Sequence, residues 1–88
     1  MRIYELVLEP DREEHIARHR VTVVEAEEVA LGQHVVFRTR HGRYALLGET
    51  EAGRCLKLIV ASRGRGMYGL VTARDASEAE HRLFRRYS

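Results

Sequence analysis

From residue 34 to residue 74 the chain is a succession of strand-length apolar runs, each separated from the next by a short turn that carries glycine. HVVFRTR (34–40) and RYALLGE (43–49) are joined through His41-Gly42. CLKLIVAS (55–62) follows the hairpin loop TEAGR, and MYGLVTAR (67–74) follows RGRG. Runs joined this tightly pair as antiparallel neighbours. CLKLIVAS is the most apolar of them and is expected at the centre of the sheet.

The flanks of this meander read differently. RIYELVLE (2–9) alternates apolar and polar residues and predicts a first strand. Pro10 suits a first helical turn, and the acids of DREEHIAR suit a helix N-terminus, which predicts a short helix ending near His19. Thr22 with Glu25 forms a capping box for a second short helix, which Gly32 closes as a C′ residue. Ser77 with Glu80 forms another box, and Ala76, Ala79, Leu83 and Tyr87, with Phe84 beside them, predict the buried stripe of a last helix. Two helices before an antiparallel meander and one after it make an α+β fold. A chain of 88 residues is expected to form a single domain over 1–88.

Charge is uneven along the chain. Residues 1–31 hold four Arg and eight acids, for −4; residues 32–88 hold eleven Arg or Lys and five acids, for +6. Lys57 is the only lysine among fifteen cations. Arginine grips phosphate bidentately and stacks on bases, so a basic, arginine-rich half suits a nucleic-acid partner, although arginine-preferring codon usage gives the same composition. Cys55 is alone, which excludes an intramolecular disulfide and a cysteine metal framework. His15 and His19 share one helical face at zinc spacing, but no third ligand is apparent and Ile16 stands where a HExxH glutamate would be, so no metal and no cofactor are expected. MRIYELVLEP turns charged too early for a secretory signal, and no run approaches the roughly 20 apolar residues of a membrane span. The cytoplasm is the expected compartment.

Three stretches in order resemble one family. HIARHRVTVVEAEEV is similar to the opening helical segment of BrnT-type toxins, in which a basic residue, a His and usually a Gly precede Val or Ile and an acidic helix. GRYALLGETEAGRCLKLIVASRGRG is similar to that family's hairpin and central strand, and VTARDASEAEHRLFRR to its closing strand and helix. The resemblance covers residues 12 to 87. It implies a fold related to the RelE ribonuclease toxins, and a toxin of a type II toxin–antitoxin pair that cleaves RNA without a metal. It also implies a cognate antitoxin that binds DNA and neutralises the toxin, which makes a toxin–antitoxin hetero-oligomer one possible assembly; a homodimer formed through a sheet edge is another. Two positions depart from the family pattern. Arg20 stands where the family usually has Gly, and Gly69 stands where it usually has Arg before two apolar residues of the last strand. The alternative implied by Gly69 is a catalytically weak or inactive module that binds RNA or a partner through the same fold.

Metal-free RNA cleavage needs a base for the 2′-OH, a cation for the phosphorane and an acid for the leaving oxygen. Arg63 and Arg74, each ending a strand, are the candidates for the cation, since a guanidinium matches phosphate and keeps its charge. Glu49 and His19 are the candidates for proton transfer. Lys57, Arg43, Arg65 and Arg38 are expected to contact nucleic acid, and Tyr87 to stack on a base. In competition with these roles, Arg74 can pair with a helix acid such as Glu78, and Tyr87 can pack the last helix. A regular strand would place residues 69 and 74 on opposite faces, so the two positions are not expected to point into one site.

Overall fold

The computed structural model describes all 88 residues, Met1–Ser88. Elements follow in the order β1 (Glu5–Val7), α1 (Pro10–Ala17), α2 (Val23–Leu31), β2 (His34–Arg38), β3 (Arg43–Glu49), β4 (Cys55–Gly64), β5 (Met67–Asp75) and α3 (Glu78–Tyr87). They form one five-stranded sheet in the order β1-β5-β4-β3-β2. The meander from β2 to β5 is antiparallel as expected, with β4 at the centre. β1 adds to its edge in parallel, pairing Glu5, Leu6 and Val7 with Met67, Tyr68 and Gly69. The first strand is therefore much shorter than the sequence pattern suggests. Leu8 leaves the ladder to pack on the core, and Glu9 already stands at the N-cap position of α1.

Both predicted capping boxes form. Thr22 and Ser77 accept from the backbone N–H of Glu25 and Glu80, and each glutamate side chain reaches back. Gly32 ends α2, but with φ −94° rather than the left-handed conformation of a C′ residue. Its reason is steric: a Cβ there would lie 2.5 Å from the carbonyl oxygen of Glu28. At the end of α1, Arg20 donates from its N–H to the Ala17 carbonyl, and Val21 to the Ile16 carbonyl. Together with buried Ile16 and Val21, this is a Schellman stop. Arg20 takes the left-handed position of that motif, at φ 60°.

α1 and α2 cover one face of the sheet. Leu46, Leu56, Leu58, Val60, Leu70 and Ala73 meet Ile16, Ala26, Val29 and Ala30 in one core. α3 lies on the other face, packed mainly against β2 and β3. There Phe84 is buried, whereas Ala79 and Tyr87 are exposed, so the helix is rotated from the predicted stripe. The rotation follows from Glu80, which turns inward to Lys57 and Arg74. Arg54 ties the helical layer to the sheet: its guanidinium reaches Glu25, Asp75 and the Arg20 carbonyl. These contacts hold the Asp75 carboxyl below the usual carboxylate range, and Glu25 is held low first by its cap to Thr22 and then by Arg54.

Candidate nucleic-acid interface

α3 packs mainly on β2 and β3 and reaches β4 and β5 through Glu80, so this face stays partly open around Ile59, Ala61 and Thr72. Strand register arranges this face in three rows. The first is Arg43, Ala61 and Gly69; the second is Ala45, Ile59 and Thr72; the third is Leu47, Lys57 and Arg74. Cations stand in the two outer rows. Ala61 and Lys57 stand four positions apart on β4, or about 13 Å at the usual strand rise.

Gly69 and Arg74 share this face, contrary to the regular-strand expectation. A register shift after Ile59 leaves Val71 without a partner on β4, so Thr72 faces Ile59 while Leu70 faces Val60. One extra residue reverses the alternation. The freed Val71 carbonyl accepts from Arg12 at 3.2 Å. Beyond the end of β1 the edge of β5 is thus covered by α1, which also brings His15 Nε2 within 3.0 Å of Thr72 Oγ1.

A second irregularity governs Arg63. The expected RGRG loop is tighter than its composition suggests: β4 continues to Gly64, and Gly64, Arg65 and Gly66 turn back with φ of 87°, 56° and 77°. Arg63 is left out of the ladder between Ser62 and Gly64. Its guanidinium lies across Gly69, where a Cβ would be 2.6 Å from Arg63 Nε. It pairs with Glu9 at 2.5 Å. Arg12 and Arg43 line the same open cavity of about 260 Å³ as Arg63.

Arg74 makes the helix ion pair, but with Glu80 rather than Glu78: two bonds of 2.9 and 3.0 Å join guanidinium and carboxylate. Lys57, paired with Arg74 in the ladder, reaches the same carboxylate at 3.1 Å. The Arg74 hydrogen bonds above all, with Ser77 and Lys57 adding, hold the Glu80 carboxyl down to about 2. Glu80 therefore stays ionised and orients both cations.

The remaining candidates are spread over the molecule. Glu49 ends β3 and meets His81 Nε2 at 3.3 Å. His19 is exposed beyond α1, its ring edge-on to His15 with centroids 5.5 Å apart. Arg65 is exposed in the β4–β5 turn, next to the cavity strand but outside its lining. Arg38 pairs with Tyr44 across the ladder, on the alternation of the core face, and so stands apart from Arg43. Tyr87 is exposed, with Phe37 edge-on at 6.3 Å and the Arg86 guanidinium 5.8 Å from its ring. Cys55 is half-buried; burial first, then Glu49 and Glu80, push its thiol up, which makes it a poor nucleophile. Sequence reasoning missed Arg12, His15 and Arg54 as members of these networks. Only His15 carried a signal, as half of the i, i+4 pair with His19.

No group of three or more His, Cys, Asp or Glu side chains is placed to hold a metal. No helix is long and apolar enough to cross a membrane.

Among solved structures, the chain is similar to the Brucella abortus ribonuclease toxin BrnT, known from a crystal structure at 1.1 Å resolution. The TM-score is 0.67 at 22% identity, over 84% of this chain and 97% of that one. The likeness is one of fold, and it agrees with the family resemblance in the sequence. No family model matches the chain, and no curated protein matches it.

Proposed function

We propose that this chain is a metal-independent endoribonuclease toxin of a type II toxin–antitoxin pair, acting on RNA and neutralised by a cognate DNA-binding antitoxin. The observation that carries this reading is the partly open face of β4 and β5, where two cationic rows flank the row of Ala45, Ile59 and Thr72 on a fold like that of a ribonuclease toxin. Single-stranded RNA has this alternation, with phosphates on its backbone and flat bases between their contacts.

The reaction is transesterification. The 2′-oxygen forms a bond to the adjacent phosphorus, the P–O5′ bond breaks, and a 2′,3′-cyclic phosphate and a free 5′-OH result. The 2′-OH proton passes to a base, and the leaving oxygen takes a proton from an acid. Arg63, standing over side-chain-free Gly69, supplies charge to the phosphorane. Arg74 and Lys57, both oriented by Glu80, hold a neighbouring phosphate of the same strand at the far row. Proton transfer falls to the imidazoles at the margins of the face: His15 on Thr72 with His19 against it, and His81 with Glu49. Arg43, Arg65 and Arg38 add charge that guides RNA to the face, and Tyr87 offers an exposed ring for stacking.

A second reading is a module of the same fold that binds RNA or a protein partner without cutting. It is favoured by the ion pairs that already engage Arg63, Arg74 and Lys57, and by the missing side chain at Gly69. Expression of the chain alone in bacteria, beside Arg63→Ala/Arg74→Ala, separates the two. Growth arrest with RNA breaks, relieved in the double variant, supports the toxin. Normal growth with intact RNA at good soluble yield supports the binding module.

A further inference from the structure

The cavity beside Arg63 contains more than the proposed cleavage reaction uses. Arg12, Arg43 and Arg63 line it together with Glu9 and Asp11, which leaves one net positive charge. Its floor is Ala61 and Gly69, neighbours in the ladder whose side chains are a methyl and a hydrogen. Arg43 has no carboxylate partner, and Arg12 meets only Asp11, at 3.6 Å. Arg12 is anchored from below by the bulge carbonyl of Val71, which uses one of its five N–H donors. Arg63 uses a terminal N–H on Glu9. Three forks therefore converge on a shallow hollow with donors to spare. The one group engaging Arg63 there is a carboxylate from the chain itself.

That carboxylate is easily released. The Arg63–Glu9 pair is about half exposed on both sides, at 46% and 54%, and exposed pairs of this kind hold weakly. Glu9 is the N-cap residue of α1, yet its side chain makes no capping bond. Arg63 is the one side-chain partner of Glu9, whose charge otherwise meets only the exposed N-terminus of α1. A phosphodiester carries the same charge with more acceptor oxygens, and arginine forks bind it bidentately.

We propose that Arg12, Arg43 and Arg63 form a phosphate pocket on this chain, and that Glu9 is its resident competitor, displaced when a phosphodiester binds. The proposal deepens the nucleic-acid reading of the same face, and rests on it for the identity of the ligand as RNA. About 13 Å along β4 from the Lys57–Arg74 row, the pocket holds a phosphate flanking the one at the other row. The ligand class is then a single-stranded segment of several nucleotides rather than a mononucleotide. Arg12 becomes a binding residue that no sequence motif marks.

The test uses the intact chain and an uncleavable probe, a fluorescent 2′-O-methyl RNA hexamer, titrated at several salt concentrations. Binding is independent of cleavage, so failure here and failure of the ribonuclease reading are distinguishable. Glu9→Gln removes the competing charge and is expected to tighten binding by about fivefold. Arg12→Gln is expected to weaken it by a similar factor and to lower the salt slope by about one. Inorganic pyrophosphate is expected to compete with the hexamer, and to compete better on Glu9→Gln. Circular dichroism of each variant confirms the fold, and Glu9→Ala repeats the charge removal with a different side chain. Binding unchanged in both Glu9 variants overturns the proposal. So does an unchanged salt slope in Arg12→Gln, and so does a wild-type chain that does not bind the hexamer. Tighter binding in Glu9→Gln with no cleavage of natural RNA keeps the pocket and sinks the ribonuclease reading.

Discussion

Arg63 occupies the space that a side chain at Gly69 would take: a Cβ on residue 69 would come within 2.6 Å of Arg63 Nε. The position where the resemblance leads one to expect arginine thus has a guanidinium above it, delivered from the neighbouring strand. Gly69→Ala should push that guanidinium aside. Because the clash is with a flexible side chain, stability should change by less than about 1 kcal/mol. Cleavage should fall by roughly tenfold or more, since misplacing a catalytic group by an ångström is costly. Thermal melts and single-turnover cleavage assays check the two halves together.

Arg20 has the left-handed conformation that Schellman stops usually give to glycine, at φ 60°. An L-residue there costs on the order of 1 kcal/mol. Arg20→Gly should therefore raise stability by about that amount in urea denaturation, with the slope unchanged. The Arg20 carbonyl that accepts from Arg54 is retained in the variant.

The Glu80 carboxylate accepts from the Ser77 N–H at the start of α3 and holds both Arg74 and Lys57. Its carboxyl is held at about 2 in the fold against an ordinary value of 4.5. A depressed carboxylate stabilises the fold above the unfolded value, and that stability is lost as pH falls from about 4.5 toward 2. Solvent around Arg74 weakens the effect, leaving on the order of 2 kcal/mol. Glu80→Gln should lower stability at neutral pH and flatten the acid limb by about that amount. Denaturant midpoints from pH 7 down to pH 2 measure it.

Arg54 joins Glu25, Asp75 and the backbone at Arg20. Arg54→Ala removes the partner of Asp75 and of the Arg20 carbonyl and one partner of Glu25, and should cost about 1 to 2 kcal/mol. Because Arg54 lies on the opposite side of the sheet from Arg63, RNA affinity should hold at temperatures where the variant is folded. Melting temperature and hexamer affinity, measured on one preparation, check this.

The parts of the fold legible in sequence are those set by local chemistry. Thr22–Glu25 and Ser77–Glu80 mark two helix starts because a cap needs only four residues, and His41-Gly42 marks a hairpin because both residues take positive φ, at 63° and 69°. The illegible parts depend on contacts distant in sequence. Val71 bulges out of β5 with its carbonyl on Arg12, and that one residue puts Gly69 and Arg74 on the same face against a strict period of two. Ala79 and Tyr87 fit an apolar stripe by spacing, yet Glu80 turns α3 by its hold on Lys57 and Arg74. The site was legible in its residue types, arginines at strand ends, but not in its pairings, because Glu9 and Glu80 reach it from elements on either side of the meander.

RNA cleavage on the partly open β4–β5 face without a metal is the activity proposed for this chain. The most direct measurement incubates the purified chain with a defined RNA in excess EDTA, beside Arg63→Ala, and analyses the product ends. Cut RNA with 2′,3′-cyclic phosphate and 5′-OH ends is expected, with a rate at least about 100-fold lower for Arg63→Ala. Intact RNA with the folded wild-type chain under conditions where it binds the uncleavable hexamer would contradict it.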